Sequence, residues 1–375
     1  MKVFFYVQHL LGIGHLKRAA TIVRALRATG FEVTLASGGA SVAGIAVDVQ
    51  LPPAHAADMT FSGLVDEAGR PVDDAWKRRR TGALIDAWRA ARADALVIEL
   101  FPFGRRQMRF ELVPLLEDAK RVAKRPLVVC SVRDIIQAKP EREESVLELV
   151  ERHFDRVLVH GDPRVAGFER SFARAARLGE RLQYTGYVVD EEPIDEHRAA
   201  PTSGRGEVLV SAGGGAVGRR LLLAAMRARE ATLLRAATWR VLAGIHCSEA
   251  DFRELARAAA DGIVLERNRE DFPALLGHCA LSISQAGYNT VAETLRARAR
   301  AVLVPFAGSG ESEQPLRAEL LAERGAATVL AEKALTPENL AAAINRAARA
   351  PQPPADLVDL DGARRSAGLL KEWLS

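Results

Sequence analysis

Short apolar stretches alternate with amphipathic helical stretches along this chain, and the pattern runs twice with one break between. The first set of strand-like stretches lies at residues 3–7, 32–36, 95–99, 127–131 and 156–159. Helical patterns at 15–29, 73–93, 110–123 and 141–153 separate them. Each pair of successive strands is thus joined by a crossover long enough for a helix, which forces the strands parallel and lays helices on both faces of one sheet. Residues 189–205 then break the pattern with Pro193, Pro201, Ser203, Gly204, several charges and few apolar side chains, the composition of an interdomain linker. The alternation restarts at 207–211 and continues through 239–243, 262–265, 280–283 and 301–305. The prediction is an α/β protein of two Rossmann-like, doubly wound domains, residues 1–188 and 206–355, facing a cleft. A last helix at 356–375, freed by the break Pro351-Gln352-Pro353-Pro354, is expected to return to the first domain. A length of 375 residues agrees with two domains.

Composition excludes several classes. No apolar run approaches the ~20 residues of a membrane span. Residues 1–7 are apolar but short, lack a small-residue cleavage site and lead into a glycine loop, so they read as a first buried strand rather than a signal peptide. Cys130, Cys247 and Cys279 have no metal-type spacing and suit a reducing cytoplasm. Residues 1–190 hold 29 Lys/Arg against 24 Asp/Glu, which makes this the basic half of a chain whose net charge is +4. Runs such as Lys77-Arg78-Arg79-Arg80 and Arg105-Arg106 are ordinarily solvated helix faces. The functional alternative is attraction to an anionic lipid surface or an anionic acceptor. No helix-turn-helix, zinc or RNA-binding signature accompanies them, so nucleic acid is not expected as a partner.

The densest chemical signal is Ser284-Gln285-Ala286-Gly287-Tyr288-Asn289-Thr290-Val291-Ala292-Glu293, which follows an apolar strand and opens a helix. Gly287 lets the backbone come close to a ligand, and a helix N-terminus offers N–H groups to an anion. Glu293, less than two turns into the helix, is placed to accept hydrogen bonds from a vicinal diol. A phosphate cradle followed by such a carboxylate reads as a nucleotide-diphosphate site. Past the next strand, Glu311, Glu313 and Gln314 stand in a loop from which they can reach a sugar. A second glycine loop, Gly213-Gly214-Gly215, follows the first strand of the second domain; three glycines can form a backbone nest for an anion, whereas a tight turn explains only one of them. No Lys-Ser/Thr follows, so this is no ATP-type P-loop.

In the first domain Gly12 and Gly14 follow strand one, but the third glycine of a dinucleotide fingerprint is missing, and NAD is not expected. His15 stands at the start of the next helix. It is either a base, kept neutral by the helix N-terminus, or a side chain that merely caps the loop. His9 is the competing histidine. Glu99 ends one strand and reads as an acceptor-side acid. Arg133 and His160 end two more, where a local ion pair or turn cap would also account for them.

The ordered set Ser-x-x-Gly, Thr-Val-Ala-Glu, a Pro-Phe strand end and Glu313-Gln314 resembles the donor segment of GT-B glycosyltransferases, and most of all the MurG-type group. In layout the resemblance covers the chain. Its specific motifs lie in the C-terminal half. Phe101-Pro102-Phe103-Gly104-Arg105-Arg106 and Tyr184-Thr185-Gly186-Tyr187 look instead like an uncharacterised branch of predicted glycosyltransferases. The resemblance implies hexosyl transfer from a UDP-sugar in the cytoplasm, peripheral on the inner face of the membrane, with no cofactor. The acceptor is open, a lipid-linked one being among the candidates. It assigns Gly213, Gly214, Gly215, Ser284, Gly287, Tyr288, Asn289, Thr290, Glu293, Glu313 and Gln314 to the donor, and Arg267 to the base. It makes His15 the general base. Glu99, by its place at a strand end, is a second catalytic candidate as an acceptor-side acid, and Gly12, Gly14, Arg18, Arg133 and His160 are placed on the acceptor side. His15 stands in Gly-Ile-Gly-His, where the family more commonly has Gly-Gly-His. No Asp-x-Asp lies near the donor loops, so no metal is implied. Two alternatives stay open. A hydrolase branch shares Gly-x-Gly-His-x-x-Arg, matched by His15 and Arg18, and a non-catalytic nucleotide-sugar-binding subunit would share the fold.

Overall fold

Phe4 and Tyr6 face one apolar cluster while Val3, Phe5 and Val7 face another, so the first strand is buried on both sides. Alternate residues of a strand point to opposite faces, and a run that is apolar throughout therefore needs cover on both. The computed structural model describes residues 1–58, 63–190, 204–213, 218–245 and 247–375. Gly214 and Gly215, with Pro193, Pro201 and Ser203 of the expected linker, lie outside these. The chain divides into two compact units, one of Met1–Val188 with Asp359–Ser375 and one of Val189–Val358.

The first unit is built on a seven-stranded sheet. Its order from one edge is Val49–Gln50, Glu32–Ser37, Lys2–Val7, Ala95–Glu99, Leu127–Arg133, Arg156–His160 and Leu182–Tyr184. All neighbouring pairs are parallel. The first strand of the chain lies inside the sheet, and the strand order reverses beside it, between Lys2–Val7 and Ala95–Glu99. That reversal is the switch point at which doubly wound sheets bind ligands, beyond the carboxyl ends of the strands. Helix Asp74–Ala91 starts at Asp73, whose side chain accepts from Trp76 N at 2.6 Å. Helix Arg109–Ala119 stops four residues short of the expected 123. Lys120, Arg121, Lys124 and Arg125 follow it, and Pro126 steers the residue before it away from helical backbone. The last helix, Gly362–Leu374, sets Ala363, Ala367 and Leu370 against Leu16, Ala19, Ile22, Val23 and Leu26 of helix Gly14–Ala28.

The second unit repeats the plan with six parallel strands in the order Ile263–Glu266, Trp239–Leu242, Val208–Ser211, Leu281–Ser284, Ala301–Leu303 and Thr328–Val329. The order again reverses beside the first-laid strand, between Val208–Ser211 and Leu281–Ser284. Thr336 caps helix Pro337–Arg349 by accepting from Asn339 N at 3.2 Å, with Pro337 where its missing N–H costs nothing. Both units are Rossmann-like α/β domains, as the alternation implies.

One charge run is not a solvated face. Arg80 is fully buried, while Arg78 and Arg79 are exposed. Its Nε donates to Glu111 Oε2 at 2.6 Å, its Nη2 to Gln8 Oε1 at 2.6 Å, and its Nη1 to Gly38 O at 2.9 Å and to Pro52 O. Tyr6 OH donates to the other oxygen of Glu111. A buried charge requires this pairing, and Asp74–Ala91 turns Arg80 inward because that helix sets one face against the sheet.

Candidate active site

Strand Lys2–Val7 delivers the loop that leads into helix Gly14–Ala28, so His15 sits in the first turn of that helix. Glu99 is the last residue of the neighbouring strand across the switch point. Residues 84 apart in sequence thus meet: His15 Nδ1 lies 3.0 Å from Glu99 Oε1. Glu99 is fully buried, and the His15 side chain keeps 12% of its surface exposed. Arg18, one turn further along the helix, also donates to Glu99 Oε1 and lies 3.2 Å from His15 Nδ1. On its other oxygen, Oε2, Glu99 accepts from Ser131 Oγ at 2.6 Å. His160 Nε2 lies 2.8 Å from the same hydroxyl, and Thr185 Oγ1 lies 2.9 Å from His160 Nδ1.

The electrostatics follow from burial and from the guanidinium. Burial opposes the charge on Glu99, but Arg18 and the His15 hydrogen bond hold its carboxyl well below the usual range, so it is a carboxylate. Burial first, then Arg105, Arg18 and Arg133, push His15 well below its ordinary value, against the pull of Glu99. His15 is therefore neutral at pH 7. A carboxylate can only accept, so the Nδ1 proton sits between His15 and Glu99, and Nε2 carries the lone pair. A neutral imidazole with its tautomer set by a buried carboxylate can take a proton at Nε2 and keep the resulting cation paired.

Several other expected residues fall around this pair. Gly12 and Gly14 belong to the turn before and at the start of the helix. Arg133 ends its strand in register with His160. His9 does not join His15; its ring lies over Gly39, where an added Cβ would come within 2.3 Å of it. His160 is fully buried and acts on Ser131 and Thr185 rather than at a surface.

In the second unit, Ser211 and Ser284 end adjacent strands in register. Both are buried, and neither hydroxyl has a hydrogen-bond partner among the described residues. Gly213 has φ +63°, a conformation that glycine adopts without strain, and open space where a side chain would stand. Gly287 caps helix Tyr288–Arg296 with open space around it too, and has no side chain to occupy the first N–H groups. Asn289, Thr290 and Glu293 are half-buried on that helix, and Tyr288 is buried. Gln314 does more than reach outward: its Oε1 accepts from Ala286 N at 3.0 Å and from Phe306 N at 3.1 Å. It ties the Gly287 loop to the loop after strand Ala301–Leu303. Glu313 is buried beside it. Arg267 donates to Cys247 O at 2.9 Å, pairs with Glu249 and stacks on Phe252 at 4.2 Å. Burial pushes the Cys279 thiol up to about 12, so it is no thiolate nucleophile at neutral pH.

Comparison with known proteins bears on both units. Residues 267–357 match the glycosyltransferase family 28 C-terminal domain. A UDP-N-acetylglucosamine--N-acetylmuramyl-(pentapeptide) pyrophosphoryl-undecaprenol N-acetylglucosamine transferase from Methylibium petroleiphilum is 34% identical over 182 residues, 47% of this chain and 48% of that protein. The chain thus spans about half the length, or less, of the curated relatives it matches. Among solved structures, Acinetobacter baumannii MurG aligns over 99% of this chain and 100% of its own, with a TM-score of 0.58 and 15% identity. The chain has the GT-B fold, and about half of it is similar in sequence to MurG-type transferases. The glycotransferase of kitacinnamycin aligns with a TM-score of 0.66 and 17% identity, over 100% of this chain and 99% of that one. Spinosyn rhamnosyltransferase SpnG, solved with thymidine diphosphate, has a TM-score of 0.60 and 17% identity over the whole of both chains.

The two units also hold groups to which sequence reasoning gave no part in a site. Ser131 lies opposite Glu99 in the sheet register, a neighbour that only strand order reveals. Arg105 donates from Nε to Gln8 O at 2.8 Å, beside the His15 loop. Arg317 is buried, donates to Ala286 O at 3.0 Å and lies 5.8 Å from the Tyr288 ring centre. Its spacing of three from Gln314, which places both on one helix face, is the signal that could have found it.

Proposed function

We propose that this chain is a metal-independent glycosyltransferase that moves a hexose or N-acetylhexosamine from a UDP-sugar to an acceptor hydroxyl. The observation that carries the proposal is the His15–Glu99 pair, a neutral histidine oriented by a buried carboxylate at the switch point of the first unit. His15 Nε2 takes the acceptor proton as the hydroxyl oxygen forms its bond to the anomeric carbon. The bond from that carbon to the phosphate oxygen breaks, and the diphosphate leaves with the electron pair. A base of this kind contributes roughly 10²–10⁴ in rate. The leaving diphosphate is held by the N–H groups at Gly213 and at the start of helix Tyr288–Arg296, with Ser211 and Ser284 as hydroxyl donors. The sequence assigns Gly214 and Gly215 to the same cradle. Glu293 accepts from the ribose diol, Glu313 and the Gln314 amide face the sugar, and Arg267 flanks the base. The match of residues 267–357 to a glycosyltransferase domain supports the donor half of this reading. A lipid-linked acceptor and peripheral contact with the inner face of the membrane belong to the same proposal.

Calorimetric titration with UDP, GDP, dTDP and NAD, on wild type and Glu293→Ala, tests the donor site. UDP binding that the substitution removes supports it; no nucleotide binding by wild type overturns it. Product analysis with a UDP-sugar then separates transfer from hydrolysis, since Arg18 and His15 would serve water as acceptor equally well. Turnover that survives His15→Ala would refute the base, and nucleotide binding without turnover would leave a binding subunit.

A further inference from the structure

Glu99, Ser131 and His160 end or nearly end three adjacent parallel strands, and Thr185 follows a fourth. Glu99 and Ser131 are in register, so their side chains leave the same face of the sheet. The contacts run in one line: His15 Nδ1 to Glu99 Oε1 at 3.0 Å, Ser131 Oγ to Glu99 Oε2 at 2.6 Å, Ser131 Oγ to His160 Nε2 at 2.8 Å, and His160 Nδ1 to Thr185 Oγ1 at 2.9 Å. Ser131, His160 and Thr185 are all buried to within 1%.

The proton count gives this line a direction. The Glu99 carboxylate accepts only, so the single Ser131 proton goes to it. Ser131 oxygen must then accept, so His160 carries its proton on Nε2. His160 Nδ1 is left as an acceptor and takes the proton of Thr185. Only a neutral histidine can do both, and burial and Arg18 hold His160 at about 3. In the reversed setting, Thr185 donates to Gly186 O at 2.9 Å and Ser131 turns to His160. Glu99 Oε2 would then be a buried charged acceptor without its donor, which is the costlier setting.

We infer that Ser131 and His160 are positioning residues for the base: Thr185, His160 and Ser131 form a one-way hydrogen-bond line that holds Glu99 in the rotamer that fixes the Nδ1–H tautomer of His15. This rests on His15 being the base of the proposed reaction, but its direct signature is the state of the His15 ring, which needs no turnover. Neither Ser131 nor His160 has the exposure to touch an acceptor, so each acts through Glu99.

The test uses the full chain labelled with ¹⁵N-histidine and reads the ring nitrogens of His15 by NMR, assigned with His15→Gln. Wild type is expected in the Nδ1–H tautomer. Ser131→Ala and His160→Phe should mix the tautomers and move the Nδ1 proton signal. Ser131→Thr, which keeps a hydroxyl, and His160→Gln, which keeps a donor toward Ser131, should retain the wild-type state and stand in should His160→Phe not fold. An Nε2–H tautomer in wild type overturns the inference, and so does a His15 spectrum unchanged in a folded Ser131→Ala. Where a UDP-sugar is turned over, Ser131→Ala should lower kcat roughly 10–100-fold, the range for an outer hydrogen-bonding partner, with donor KM unchanged. A wild-type tautomer as expected, with no turnover of any UDP-sugar, would sink the proposed function and leave the positioning line standing.

Discussion

Replacing His160 with Gln should flatten the pH dependence of stability in the N-terminal unit. Buried His160 is held at about 3, mainly by desolvation and by Arg18, whereas an unfolded histidine titrates near ~6.5. The folded value is depressed, so as pH falls below ~6.5 the unfolded chain binds a proton that the fold does not. Stability is lost in that direction, down to about pH 3, and the loss is absent above ~6.5. From pH 7.0 to 5.5 the unfolded state gains about 1.2 kcal/mol per histidine that stays neutral in the fold. Burial lowers His15, His9 and His153 in the same direction, so they add to this loss, against an ordinary stability of ~5–15 kcal/mol. Glu99, depressed below an unfolded value near ~4.3, begins to contribute only below this window. Gln cannot titrate, and its amide can still donate to Ser131. The variant should therefore lose about 1.2 kcal/mol less than wild type between pH 7.0 and 5.5, roughly eightfold in the unfolding equilibrium. Urea titrations at both pH values, read from the methyl signal of buried Ile98, report on this unit alone. The same pH dependence in both proteins would mean that His160 is protonated in the fold. It would then donate on both sides, and the hydrogen-bond line to Glu99 could not run as drawn.

Three further outcomes follow from buried or exposed charge. Glu111→Leu strands fully buried Arg80 and should destabilise the N-terminal unit by about 3–5 kcal/mol, while adding Arg80→Met should recover much of that, measured by urea unfolding as a double-mutant cycle. Gln314→Ala leaves Ala286 N and Phe306 N without their acceptor, so about 1–3 kcal/mol should be lost from the second unit together with UDP affinity in calorimetry. Cosedimentation with vesicles rich in anionic lipid should fall when exposed Arg78 and Arg79 are changed to Glu, and should fall again in salt; binding indifferent to both would remove the membrane proposal.

The alternation of apolar strand and amphipathic helix was enough to foresee both sheets, because a strand buried on two faces tends to be apolar throughout, as residues 3–7 and 301–303 are. Edge strands Val49–Gln50, Leu182–Tyr184 and Thr328–Val329 escaped because two or three residues carry no period. Arg80 was misread with its neighbours because a charge run shows sign but not direction. On a helix, residues 78, 79 and 80 point 100° apart, and only the third turns to the sheet.

The candidate base was harder, and the reason is topological. Glu99, Arg133 and His160 could each be placed at a strand end from sequence, and His15 at the start of a helix. Which strand ends are neighbours depends on the order in which strands are laid, and that order is not written in any local pattern. The first-laid strand has Glu32–Ser37 on one side and Ala95–Glu99 on the other, so the next strand in sequence takes one flank and Glu99 arrives on the other. Once the order is known, Ser131 follows from register, since it stands opposite Glu99, and a hydroxyl there meets the second carboxylate oxygen. The same logic separates the two kinds of buried charge in this unit. Glu111 with Arg80 neutralises a cation that a helix face brings inside, and both side chains are fully buried, out of reach of a substrate. Glu99 with Arg18 is also satisfied, but one of its oxygens is shared with a His15 side chain that stays 12% exposed, and that remaining exposure is what distinguishes a site from a brace.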